Sequence, residues 1–181
     1  MGVTFLAGSL LVSSPALVDP NFRRTVVLMT HHDAEGAVGI VLSRPSELTI
    51  SEAVPDLRQL PVVDETVYIG GPVQPEAVVV LIELDEGEDG AETIVGNVTY
   101  LPPDHDSGEL AVRRARVFAG YSGWGPGQLE NELEEPAWLV VAAEPDDVFV
   151  TDPDMLWRTV LRRQGGTVSL LATMPYDPRL N

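Results

Sequence analysis

His31, His32 and Asp33 put two imidazoles and a carboxylate at consecutive positions, a set that suggests a bound metal ion or a general base. A strand running through them would send the two rings to opposite faces, so that they could not share one ion. A polar hairpin end is the reading that follows, for this cluster and for Asp104, His105 and Asp106, and no metal is expected. Ser122 lies in Gly-Tyr-Ser-Gly-Trp, which departs from the Gly-x-Ser-x-Gly nucleophile elbow by placing Trp124 where the second glycine belongs. All three histidines precede Ser122, whereas an elbow is followed by its acid and its histidine. No catalytic residue is therefore assigned. An enzymatic alternative is a hydrolase or metal-dependent activity using His32 with Asp33 or Glu130.

Residues 120–133, GYSGWGPGQLENEL, combine four glycines with Tyr121, Trp124 and Pro126 ahead of an acidic helical pattern. The glycines predict a tight corner, with aromatic surface that has to pack on something. Pro126 suits the first helical position, Gln128 can reach back to the Gly125 amide, and Leu129 and Leu133 share a face until Pro136 ends the helix. The corner is expected to build a binding surface for a ligand or partner from Tyr121, Trp124, Gln128 and Glu130, with Asn21, His32 and Arg44 from the first half.

Composition removes many other chemistries. There is no cysteine, so disulfides, thiolate catalysis and iron–sulfur clusters are excluded. All eleven basic residues are arginine, which excludes a phosphate-loop lysine and a lysine Schiff base. The formal net charge of -17 disfavours direct nucleic-acid binding and anionic membranes. No apolar run approaches the ~20 residues of a membrane span, so a cytoplasmic location is expected, with no membrane association. Arg23 with Arg24, Arg113 with Arg114 and Arg116, and Arg162 with Arg163 could each clamp a phosphate or carboxylate. With 28 Asp and Glu residues at hand, surface pairing is the simpler expectation for all of them.

The elements that must position these residues alternate irregularly. Strands are predicted over residues 5–14, 25–30, 36–42, 67–69, 77–84, 93–101, 116–119, 138–143, 148–150 and 167–172, with 25–30 and 36–42 forming a hairpin. Short helices are predicted over 49–54 and 106–114, an acidic loop over 85–92, and the clearest helix begins at Asp152 and Pro153 and stops before Gly165. One domain spanning residues 1–181 is expected, of the α+β class.

Five motifs in order resemble the YqgE/AlgH family: SSPALVDPNFRRTVVLM, GAVGIVLSRP, IGGPV, GYSGWGPGQLENEL and DPDMLWRTVLRR. The resemblance implies a single-domain bacterial cytoplasmic protein with a bifurcated, mostly antiparallel sheet forming a pseudo-barrel flanked by helices. It implies no established reaction and no cofactor; some members carry a label as regulators of transcription. The chain departs from the pattern at Ser43, where relatives read Asn, and lacks a cysteine that some carry near His31. The function expected is that of a non-catalytic regulatory or binding protein acting on an unknown protein or small-molecule partner.

Overall fold

Strand β1 (Ser9–Ser13) is apolar at consecutive positions because both its faces are covered. Leu10 and Val12 join Val26, Leu28 and Ile40 in one core, while Leu11 joins Val27, Met29 and Val41 in another on the opposite side of the sheet. This computed structural model describes residues 5–85, 92–102 and 110–176. After β1 come β2 (Val26–Asp33), β3 (Gly36–Val41), β4 (Pro45–Thr49), α1 (Ile50–Ala53), a 3₁₀ turn at Pro55–Gln59, β5 (Val62–Ile69), β6 (Val73–Leu84) and β7 (Val98–Tyr100). The second half adds β8 (Val112–Trp124), α2 (Gln128–Glu134), β9 (Trp138–Ala142), α3 (Pro145–Val148), α4 (Pro153–Gln164) and α5 (Gly166–Leu171).

The nine strands form one sheet in the order β4-β5-β8-β3-β2-β1-β9, and β6 with β7 branches from β8. The class is α+β and the sheet is bifurcated and mostly antiparallel; β5 with β8 is the only parallel pairing among the described strands. It is not closed into a barrel, since β4 and β9 stand at opposite ends of the path. The first core, on the Leu10 side, is closed by α4 through Leu156, Trp157, Val160 and Leu161. The second is closed by Leu129 of α2 with Trp124 and Trp138. A third core between β5, β6 and β8 is closed by Ile50 of α1 and by Leu60.

The branch point explains two glycine motifs. Gly120 of β8 has φ 71°, and a Cβ there would lie 2.6 Å from the carbonyl oxygen of Gly71, so the β5–β6 connection and β8 pass at backbone distance. Of the stretch 120–133 expected to open on a tight corner, residues 120–124 are the end of a 13-residue strand, and the turn falls later, with Gly127 preceding the helix in the left-handed region. Four other expectations are corrected. Residues 112–114, expected to end a helix, open β8, to which Arg113 and Arg114 belong. Residues 145–148 form α3 where a strand was expected over 148–150. Residues 166–171 form α5 in place of a last strand, because the Gly165-Gly166 pair turns the chain back from α4 into a second helix. Residues 93–101 contain only the three-residue β7. The Asp104, His105, Asp106 cluster, the start of the 106–114 helix and most of the 85–92 loop lie outside the described residues.

Candidate functional site

The hairpin β2–β3 carries His31 and His32 within the strand, and their rings point to opposite sides as strand geometry requires. His31 is exposed, with Nε2 2.8 Å from Asp33 Oδ2. The backbone N–H of Glu35 and then the His31 ring hold the Asp33 carboxyl below the usual range. His32 is 5% exposed. Its Nδ1 accepts the Leu6 N–H at 3.1 Å, which places the proton on Nε2, and Nε2–H donates to Glu130 Oε1 at 2.9 Å. Both ring nitrogens are committed. Glu130 is held below the usual glutamate range by its own backbone N–H and then by His32. A cavity of about 350 Å³ opens beside this pair, between Ala7, Thr30, the two histidines and Tyr100.

Trp124 is 6% exposed and sits in an aromatic cluster, stacked on Phe22 at 6.1 Å and edge-on to Trp138 at 6.5 Å between ring centres. The indole N–H groups of Trp124 and Trp138 each donate to Glu132 Oε2 at 3.0 Å, and the Gln128 amide donates to Oε1 at 3.1 Å. Gln128 also accepts the Gly125 N–H at 3.1 Å, the reach-back its spacing predicts. Glu132 is therefore the hub of this region, a role that its position on a mostly acidic helix did not advertise. Tyr121, half-buried, faces the α4 side of the sheet and packs against the first core. Ser122 is fully buried in β8, with Oγ 3.3 Å from the Gly70 carbonyl and no hydrogen bond to a histidine among the described residues. Among the described residues no three of His, Asp and Glu are placed to hold a metal ion.

A second constellation forms at the other end of the hairpin. The β1–β2 connection makes a turn in which Asp19 accepts from the backbone of Asn21, Phe22 and Arg23, and it projects Arg23 and Arg24. Arg44 follows β3, and Arg158 lies on α4, which is tied to the end of β1 by the Trp157 indole N–H donating to the Ser13 carbonyl at 2.8 Å. These four arginines, with Asp154, Met155, Trp157 and Tyr176, line a cavity of about 500 Å³. Asn21 and Arg44 also line a notch of about 50 Å³ beside it, with Val41, Ile69, Gly71 and Pro72. The seven residues expected at the site thus fall in three places: Asn21 and Arg44 at the notch, His32, Trp124, Gln128 and Glu130 around α2, and Tyr121 in the core.

The charge around this cavity is unbalanced. Arg113, Arg114, Arg116 and Arg163 each pair with carboxylates, whereas Arg23, Arg24, Arg44 and Arg158 make no ion pair among the described residues. Burial and then the like charges of Arg158 and Arg23 hold the Arg24 guanidinium below its ordinary value, and burial does the same to Arg44. Arg24 also has φ 55°, a left-handed backbone that costs a non-glycine residue about 1–3 kcal/mol. Its guanidinium lies 4.1 Å from the centre of the Trp157 ring. The sequence displayed the Arg23-Arg24 pair but not its convergence with Arg44 and Arg158, because the contributing segments are far apart in the chain.

The model of a family described as AlgH-like matches residues 10–169. The chain belongs to the AlgH-like family. It is 43% identical to a UPF0301 protein of Streptomyces coelicolor, over 99% of this chain and 97% of that one. A UPF0301 protein of Mycolicibacterium smegmatis is 39% identical over 96% of this chain and 90% of its own length. Among solved structures, a Corynebacterium diphtheriae protein superposes with a TM-score of 0.86 at 27% identity, covering 95% of this chain and 94% of that one. The AlgH protein of Pseudomonas aeruginosa, solved in solution, gives 0.70 at 28% identity, with 97% of each chain covered. The overall fold thus recurs in both solved structures, and none of these four proteins' names states a reaction. No helix among the described residues is long and apolar enough to cross a membrane.

Proposed function

We propose that this AlgH-like chain is a non-catalytic cytoplasmic binding protein with a regulatory role, and that its ligand is a small anion held by Arg23, Arg24, Arg44 and Arg158. The observation that carries this reading is that those four side chains share a cavity and make no ion pair among the described residues, in a protein of net charge -17. Carboxylates outnumber arginines and pair with them elsewhere, whereas the one carboxylate lining this cavity, Asp154, makes an ion pair with none of the four half-buried guanidinium groups, which are thus poised for an anion from outside. The cavity volume of about 500 Å³ suits a small molecule. Its concave form and the acidity of the rest of the chain speak against duplex nucleic acid, which needs an arginine face laid along a groove.

The hydrolase or metal-dependent alternative centred on His32 has less support. A general base needs a lone pair directed at substrate, and both ring nitrogens of His32 already serve Leu6 and Glu130. The expectation that Trp124 and Gln128 meet a ligand has to accommodate their engagement with Glu132.

Calorimetric titration with phosphate, pyrophosphate and citrate tests the anion reading. Binding should be seen, should weaken as salt is raised, and should be lost in Arg158→Gln, a side chain that makes no hydrogen bond or ion pair among the described residues and so contributes little to the fold. If none of the three anions binds at low ionic strength, the reading is wrong.

A further inference from the structure

The C-terminal segment already occupies the donors that an anion would need. Arg24 donates to the carbonyl oxygens of Met174, at 3.0 Å, and Pro175, and Arg23 donates to that of Tyr176. The Tyr176 ring lies 4.2 Å from the Arg23 guanidinium and 5.9 Å from that of Arg24, and it forms part of the cavity wall. Three neutral oxygens are thus grouped around two guanidinium groups, where a tetrahedral oxyanion would present three charged ones. We infer that residues 174–176 are a displaceable strap that stands in for the oxygens of a phosphoryl group, and that a phosphate-bearing ligand binds Arg23 and Arg24 by releasing it. This rests on the anion reading above and adds both the ligand class and its control.

Three features of the strap favour release. Hydrogen bonds from guanidinium to a charged oxygen are roughly twice as strong as those to a neutral carbonyl, so a phosphoryl group replaces the strap's acceptors with better ones. Tyr176 is 62% exposed and Met174 42% exposed, so the segment has little apolar burial holding it down. The core anchor of this stretch is Ala172, fully buried two residues upstream of Met174, which fixes where the strap hinges. While closed, the strap lowers the binding-competent fraction and weakens apparent affinity in proportion. Binding and strap release are reciprocally linked.

The test loosens the strap without moving the chain terminus. Met174→Gly, Pro175→Gly and Tyr176→Gly together remove its rigidity and its ring, and Tyr176→Ala alone removes the ring. None of the three residues is buried, so both variants should keep the wild-type melting temperature. Pyrophosphate is titrated into each at low ionic strength. The triple variant should bind about tenfold tighter than the wild type, with Tyr176→Ala between them. Pyrophosphate should also accelerate carboxypeptidase trimming of the wild-type tail. Equal affinities would overturn the strap and leave the arginine site standing. Weaker binding by the loosened chain would make residues 174–176 part of the ligand site and overturn the strap as well. No pyrophosphate binding by any form would remove the anion site itself, and the strap with it.

Discussion

Arg116 is the largest fully buried side chain among the described residues, and it shows how this fold uses a charge internally. Its guanidinium donates to the carbonyls of Val148 at 2.9 Å and Val150 at 2.6 Å and pairs with Asp64 at 3.0 Å. It also lies 4.4 Å from the centre of the Tyr68 ring. Tyr68 donates in turn to Asp64, and burial pushes its phenol up to about 12. Replacing Arg116 with methionine leaves two carbonyls and a carboxylate without their donor. The expected cost is roughly 2–4 kcal/mol, somewhat below that of breaking a fully buried pair because Asp64 is 35% exposed, and chemical denaturation measures it. Trp124 separates two effects in the same way. Trp124→Ala empties the aromatic cluster and should cost about 3–5 kcal/mol, whereas Trp124→Phe keeps a ring and loses only the bond to Glu132, about 1 kcal/mol. A Trp124→Ala protein with an unchanged denaturation midpoint would show that the cluster is not structural.

Strand β8 organises the elements, since β3, β5 and β6 all pair with it. The crossing of β8 with the β5–β6 connection works only at glycine. Gly120→Ala combines a left-handed backbone with a Cβ 2.6 Å from the Gly71 oxygen, and should destabilise by more than ~1 kcal/mol as the branch is forced apart. A Gly123→Ala control meets nothing closer than 3.7 Å and should stay within ~1 kcal/mol; equal losses at the two positions would refute the branch-point account. These glycines also show what could be read from the chain alone. Their clustering signalled close backbone approach, but whether that meant a corner or a crossing depends on a partner strand about fifty residues away. The apolar periodicity of α4 and its Asp152 cap were legible because both signals are local. Residues 167–172 read as a strand since Thr167 and Val168 are β-branched and six positions are too few to show a helical period. The arginine site was legible only as isolated pairs, because what sets it apart is the convergence of four unpaired arginines from distant segments on one cavity.

At the scale of the whole molecule, the net charge of -17 acts on all these elements together. A chain of this length has a radius of gyration of ~16 Å, well inside the ~30 Å screening length of ~0.01 M salt, so at low ionic strength every carboxylate feels the others. Unfolding spreads the charges and relieves that repulsion, which therefore destabilises the native state at neutral pH. At ~1 M salt the screening length falls to ~3 Å and the repulsion disappears. The melting temperature at pH 7 should accordingly rise with salt. The increase should shrink as pH is lowered toward the sequence pI near 4.3, where the net charge vanishes. Opposing this on the acid side are carboxyls that the fold holds below their usual values: Asp33 through Glu35 and His31, Glu52 through Thr49, and Glu130 through its own backbone and His32. Groups depressed in the native state contribute stability above their unfolded value and lose it as pH falls through the folded one. Stability should therefore climb from pH 7 to about 5 as repulsion is titrated away, and fall below about 4 as these carboxyls protonate. Scanning calorimetry across pH 3–8 at the two salt concentrations distinguishes the terms. A salt-insensitive melting temperature at pH 7 would mean that neighbouring arginines already neutralise the acids locally, and the unpaired charge around the cavity would then lose its significance.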